Sequence, residues 1–244
     1  MKTSFTFITT LLLSLFLISE SHAQGGKDKQ VKGSGNITTK TIKTEDYDKI
    51  DAVGSMDFIL EKGTEGTITV TTDDNLQEYV KITSGGGVLK VTLENYINYN
   101  SKHGIIITIP FEEISEASLT GSGDLIGKDV IKTSSFTTNL TGSGDVVLAL
   151  DAENIDSKLI GSGDITLSGN TNSLEASVKG SGDFEGKNLE ANNTDVSVIG
   201  SGDATVTAKK SIRARVNGSG DIKYSGSPEK SEIKSSGSGT IKGM

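Results

Sequence analysis

The sequence predicts an all-β protein: a parallel β-solenoid, or single-stranded β-helix, with rungs of about 19–21 residues and an irregular N-terminal cap. Three observations predict it. Gly-Ser-Gly-Asp recurs from Gly121, Gly142, Gly161, Gly180, Gly200 and Gly218, and a Gly-Ser-Gly-Thr variant starts at Gly237, at spacings of 21, 19, 19, 20, 18 and 19. Self-similarity at such a period marks a solenoid. Between these corners the side chains alternate apolar and polar, the period of a half-buried strand. Finally, a chain that is 33% apolar and lacks tryptophan is poorly suited to one globular core. A repeat escapes that limit, because each unit buries its apolar face only against its neighbours.

The chain opens with Lys2, an apolar run from Leu11 to Ile18, and Ser21-His22-Ala23. Residues 1–23 therefore read as a secretory signal peptide, cut before Gln24. That apolar run is too short to span a bilayer, and no later one approaches the roughly twenty residues required. Residues 24–30 read as a disordered leader, and 31–244 as a single solenoid domain. Within it, 31–110 read as cap and widened rungs. Gly33-Ser34-Gly35-Asn36 and Gly54-Ser55-Met56-Asp57 resemble degenerate corners. Strands are expected at Phe58 to Leu60, Thr67 to Thr71, Val88 to Leu93 and Ile105 to Ile109, with a helical turn at Asp74 to Tyr79 and a glycine hairpin at Gly85 to Gly87.

Residues 111–244 carry the regular rungs. Counting back from each corner glycine, positions −6, −4 and −2 read Phe136/Thr138/Leu140, Ile155/Ser157/Leu159, Leu174/Ala176/Val178, Thr194/Val196/Val198 and Ile212/Ala214/Val216. The odd positions between them are mostly polar. After each corner a strand resumes, with Leu125, Val146, Ile165, Phe184, Ala204 and Ile222 pointing inward, and a looser turn such as Gly169-Asn170-Thr171-Asn172 follows. Equivalent strands should pair in parallel about 4.8 Å apart, wound right-handed as parallel crossovers are by default. Sharp corners stacked on one another need positive φ and no Cβ, which glycine supplies.

The order Tyr47-Asp48-Lys49-Ile50, Glu61-Lys62-Gly63, Thr67 to Leu76, Gly87-Val88-Leu89-Lys90-Val91 and then iterated corners resembles the head GIN domain family of putative auto-transporter adhesins. That resemblance implies a bacterial exported β-solenoid with an adhesive role. It brings no catalytic or ligand residues, and no membrane β-barrel translocator is expected alongside the solenoid.

The chemistry available is narrow. Zero cysteines exclude a disulfide framework and an acylated lipoprotein cysteine. With His103 the only histidine after the leader, neither a conventional zinc site nor a Ser-His or Cys-His pair can be assembled. No enzyme activity is expected. Asp124, Asp145, Asp164, Asp183, Asp203 and Asp221 should form a column in which neighbouring carboxylates repel by about 0.9 kcal/mol even at the dielectric of water. Two arrangements would offset that: hydrogen bonds from backbone amides or corner serines, or calcium held between rungs by oxygen ligands. Arg213 and Arg215, with Lys158, Lys179 and Lys234 on the same sheet, suggest a basic stripe for an acidic glycan, or else a solvated face balanced by Asp156, Glu175 and Glu232.

The net charge of −8, unchanged by removal of the leader, disfavours nucleic acid and anionic membranes as partners. The expected location is periplasm, cell surface or medium. Three functions stay open: a non-catalytic surface or envelope module of adhesin type, binding a glycan or a cell-surface protein; a polysaccharide-active β-helix enzyme, with Glu112, Glu113 and Glu116 the place for an acidic cluster; or an envelope assembly factor pairing end to end with copies of itself through an exposed edge near Thr240 to Met244.

Overall fold

A computed structural model describes residues 29–94 and 97–244. The expected signal peptide and the leader as far as residue 28 lie outside them. The strands are β1 (Lys29–Lys32), β2 (Ile37–Lys43), β3 (Tyr47–Gly54), β4 (Asp57–Lys62) and β5 (Thr67–Asp73), then a 3-10 turn (Asp74–Tyr79). Next come β6 (Val80–Gly85), β7 (Gly87–Leu93), β8 (Ile97–Asn100), β9 (Ile106–Phe111) and β10 (Glu116–Gly121). The regular rungs follow as β11 (Leu125–Gly142), β12 (Val146–Gly161), β13 (Ile165–Gly180), β14 (Phe184–Gly200) and β15 (Ala204–Gly218). A last rung is made of β16 (Ile222–Ser225), β17 (Lys230–Gly237) and β18 (Ile241–Gly243).

From β10 onward the register is that of a parallel solenoid of about seven turns and 19-residue rungs. Each corner glycine pairs with the next, from Gly121 with Gly142 through Gly200 with Gly218 to Gly218 with Gly237. The alternation explains the core. All fifteen residues at positions −6, −4 and −2 of the five middle rungs are at most 3% exposed, as are Leu125, Val146, Ile165, Phe184, Ala204 and Ile222. Burying a Leu, Ile or Phe side chain contributes about 1.5–3 kcal/mol, and every level of the stack repeats that contribution.

The N-terminal third departs from rung-by-rung order. β3, the Gly54 corner and β4 form a level directly against β10 and β11, since Gly54 pairs with Gly121 and Phe58 with Leu125. β7 pairs with β3 and β9 with β4 on the far side. The chain therefore leaves β4, builds the end of the stack, returns through β7 and β9, and passes the level of β3 and β4 to reach β10. The end itself is antiparallel: β5 pairs with β2 and β9, and β6 with β7 across the Gly85 to Gly87 hairpin. This part was expected as a cap plus widened rungs with a hairpin at Gly85 to Gly87; the antiparallel pairing of β5 with β2 and β9 replaces the widened rungs. Reversed strands at the end complete the hydrogen bonds of the outermost parallel level without offering another one to extend.

Two further expectations are corrected. The leader was placed through residue 30, yet Lys29 and Gln30 belong to β1 and pair with Ile97 and Asn98. Gly54-Ser55-Met56-Asp57 is a true corner, but Gly33-Ser34-Gly35-Asn36 is a strap tied to the acidic pair after β5. The Gly35 N–H donates to Asp73 Oδ1 at 2.5 Å, and Ser34 Oγ and Asn36 Nδ2 donate to Asp74 at 2.5 and 2.8 Å. A Cβ on Gly33 would stand 2.4 Å from Asp73 Oδ2, so its glycine answers to a carboxylate rather than to a stacked corner.

Candidate functional site

The corner fixes what its aspartate can do. At Gly161 φ is +135°, and a Cβ there would lie 2.0 Å from the Gly142 carbonyl oxygen. That oxygen accepts two N–H groups of the following corner, from Ser162 at 2.9 Å and Gly163 at 3.2 Å. The next amide, that of Asp164, finds its acceptor in a side chain, Asp145 Oδ1 at 3.0 Å. The pattern repeats from Asp145 on Asp124 to Asp221 on Asp203, at 2.7–3.1 Å. In return each aspartate carbonyl accepts the N–H that follows the aspartate one level earlier, as in Val146 on Asp164 at 2.9 Å. The carboxylate thus takes the place of a ladder carbonyl where the corner has turned the backbone away.

The six sequence-predicted aspartates do form one column, and the structure extends it to Asp57, whose Oδ1 lies 3.4 Å from the Asp124 amide. Burial, ahead of the charge of Asp124, pushes the Asp57 carboxyl up from its ordinary value. At the last corner Thr240 replaces aspartate, and both its N–H and its hydroxyl donate to Asp221 Oδ1, at 2.8 and 2.9 Å, holding that carboxyl below the usual range. Among the described residues no group of three or more His, Asp or Glu side chains is close enough to hold a metal ion.

Arg213 and Arg215 are brought together, but on carboxylates. Asp195 bridges them, at 3.1 Å to Arg213 Nη1 and 2.8 Å to Arg215 Nη2, and Glu232 takes Arg213 Nε at 3.1 Å. Lys158 sits on Asp156 at 2.6 Å and Lys234 on Glu232 at 2.8 Å. The acid and base columns five and three residues before the corner compensate each other, so Lys158, Arg213, Arg215 and Lys234 of the expected basic stripe are paired, while Lys179 stands in the column next to the corner.

Open depressions mark the sides. The largest, about 840 Å³ near the irregular end, is lined by Asp46, Asp48, Lys62, Glu65, Glu112 and Glu113 among others. It gathers two of the three glutamates expected to cluster. Glu116 lies elsewhere, 4.0 Å from Lys49 on the outer face of β10. Glu65 is already engaged, accepting the N–H groups of Tyr47 at 2.8 Å and Glu112 at 3.1 Å. The Tyr47 hydroxyl donates to the Pro110 carbonyl, and burial, then Glu65, raises the phenol above its ordinary value. His103 is exposed in the loop before β9. A second depression, about 620 Å³, follows the variable corner past Lys132, Asp151, Glu153, Asn170, Asn172 and Asn192. Two more cross the last rungs: one of about 530 Å³ is lined by Glu175, Asp195, Arg213 and Glu232 among others, and one of about 360 Å³ runs between Ser197 and Ser236. No helix among the described residues is long and apolar enough to cross a membrane.

A family model, described as "Putative auto-transporter adhesin, head GIN domain", matches residues 46–228, the span from the first level of the stack to the last regular rung. The chain belongs to this family. Solved structures share this architecture. A "putative adhesin" from Bacteroides fragilis is 26% identical with a TM-score of 0.81, a "putative lipid binding protein" from Parabacteroides distasonis is 28% identical at 0.72, and a second P. distasonis protein, a "putative adhesin", is 26% identical at 0.71. Each match covers 88% of this chain and all of the other. No match was found among curated proteins. In this head GIN domain the 360 Å³ depression was missed from sequence, although Ile199, a large aliphatic at an outward position, was its visible signal.

Proposed function

We propose that the protein is an exported, non-catalytic binding module of the bacterial envelope, acting as an adhesin through the sides of its solenoid. The family match over residues 46–228 carries this conclusion. Its support from geometry is that the repeated corner residues are engaged in the ladder, while the depressions are open troughs on the lateral surface rather than enclosed chambers. The neighbours described as adhesins and as a lipid-binding protein agree with binding as the common task. Protease shaving of intact cells, followed by immunodetection, tests the location. Loss of the signal without lysis is expected, whereas protection until the outer membrane is opened would remove adhesion to other cells or surfaces.

A further inference from the structure

The outer face just before the corners combines two features. In the column one residue before the glycine, Ile160, Lys179, Ile199 and Asn217 stack on successive rungs. Ile160 and Ile199 are 49% and 46% exposed, more than any other exposed isoleucine, leucine or valine among the described residues. The next column out, three residues before the glycine, stacks Lys158, Ser177, Ser197, Arg215 and Lys234. From Lys158 to Ser236 these two columns hold four cations and no carboxylate. The acidic partners Asp156, Asp195 and Glu232 stand one column farther from the corner.

The columns meet in the 360 Å³ trough. Ile199 supplies its exposed apolar side chain, the side chains of Val198 and Val216 being turned into the core beneath it; Arg215 and Lys234 supply its cations, Ser197, Asn217 and Ser236 its outward neutral groups, and no acid lines it. Each cation is held from behind by one carboxylate, which orients it and leaves most of its N–H groups free to donate. Exposed isoleucines flanked by cations suit an interface where acyl chain and anionic headgroup meet. A soluble acidic glycan would use the cations and leave the two isoleucines without a role. The chain's net charge of −8 does not decide the matter, because beyond a Debye length of about 8–10 Å the charges of the other faces are screened.

We propose that this strip, centred on Ile199, Arg215 and Lys234, docks the solenoid peripherally on an anionic lipid surface. The proposal rests on the protein being an exported binding module, but it is tested separately from the protein's location. The full chain without its leader is sedimented with vesicles of phosphatidylcholine, with and without phosphatidylglycerol. Phosphatidylglycerol should be required for binding, and added salt should weaken it. Arg215→Gln with Lys234→Gln should reduce vesicle affinity about tenfold or more, and Ile199→Ser should reduce it several-fold with an unchanged circular dichroism spectrum. Equal binding to both vesicle types, or no binding, overturns the proposal. So does binding that Ile199→Ser leaves intact while a soluble acidic polysaccharide competes fully, because that result assigns the cations to a glycan.

Discussion

At the scale of single residues, the corner aspartate shows how an apparent metal column becomes a hydrogen-bonding device. Asp164 Oδ1 accepts the Asp183 amide at 2.8 Å, so what that level needs is an acceptor rather than a charge. Asp164→Asn retains an acceptor and removes repulsion along the column, and its stability should stay within about 0.5 kcal/mol of the parent. Asp164→Ala leaves the amide to solvent and should cost about 1–3 kcal/mol in urea unfolding. Equal losses in the two variants would mean that the charge itself carries the role. Gly161→Ala is harsher, because it needs φ of +135° and places Cβ 2.0 Å from a backbone oxygen that cannot retreat without moving the rung. A loss above about 3 kcal/mol, or no folded protein, is expected; a melting curve like that of the parent would contradict the stacked corner.

At the scale of elements, the regular strands were legible because their information is local. Phe136, Thr138 and Leu140 point inward for the same reason as Ile212, Ala214 and Val216, a two-residue period set by the pleat. The glycine hairpin and the turn at Asp74–Tyr79 were legible for similar reasons. The interleaving of β3 and β4 between the levels of β9 and β10 was not, since pairing order depends on contacts among distant segments that no periodicity records. Nor could spacing separate the Gly33 strap from a corner: both require glycine, one beside a carboxylate and the other beside a carbonyl. The trough escaped because exposed isoleucines become a site only when register stacks them beside Arg215 and Lys234. The strap itself carries a pH signature. Asp73 is held below its ordinary value first by the Ser101 hydroxyl and then by the Gly35 N–H, and Asp74 by Ser34 and then Asn36. A carboxyl lowered on folding stabilises fully above its unfolded value of about 3.9 and loses that contribution as pH falls through the lowered one. In an NMR titration the Gly35 amide shift should therefore move with a midpoint below 3.9; a midpoint at or above it would show that the strap does not favour the ionised form.

At the scale of the whole molecule, the two ends of the described stack differ. The irregular end uses antiparallel strands. The other uses residue choice: Thr240 presents no carboxylate to a following rung, Ser231 and Ser235 occupy inward positions held elsewhere mostly by aliphatics, and Lys230, Lys234 and Lys242 dot the exposed strands. Lysines and short strands are the usual means of blunting an edge, and they oppose in-register stacking of a second copy. Light scattering should accordingly give a mass independent of concentration, and a mass rising with concentration would restore end-to-end pairing. Between the ends each level touches only its neighbours, so stability should be nearly a sum of rung terms. Removing residues 161–179 deletes one period and joins Ile160 to Gly180, keeping every alternation and every corner in register. That protein should fold, melt cooperatively and be shorter along its axis by one strand spacing, about 4.8 Å, in solution scattering. Removing residues 161–180 instead deletes one residue more and replaces the corner glycine with Ser181, so the turn loses its positive φ and the strand before it meets the next level out of step. If the two deletions were equally stable, register along the corner column would not be what holds the solenoid together.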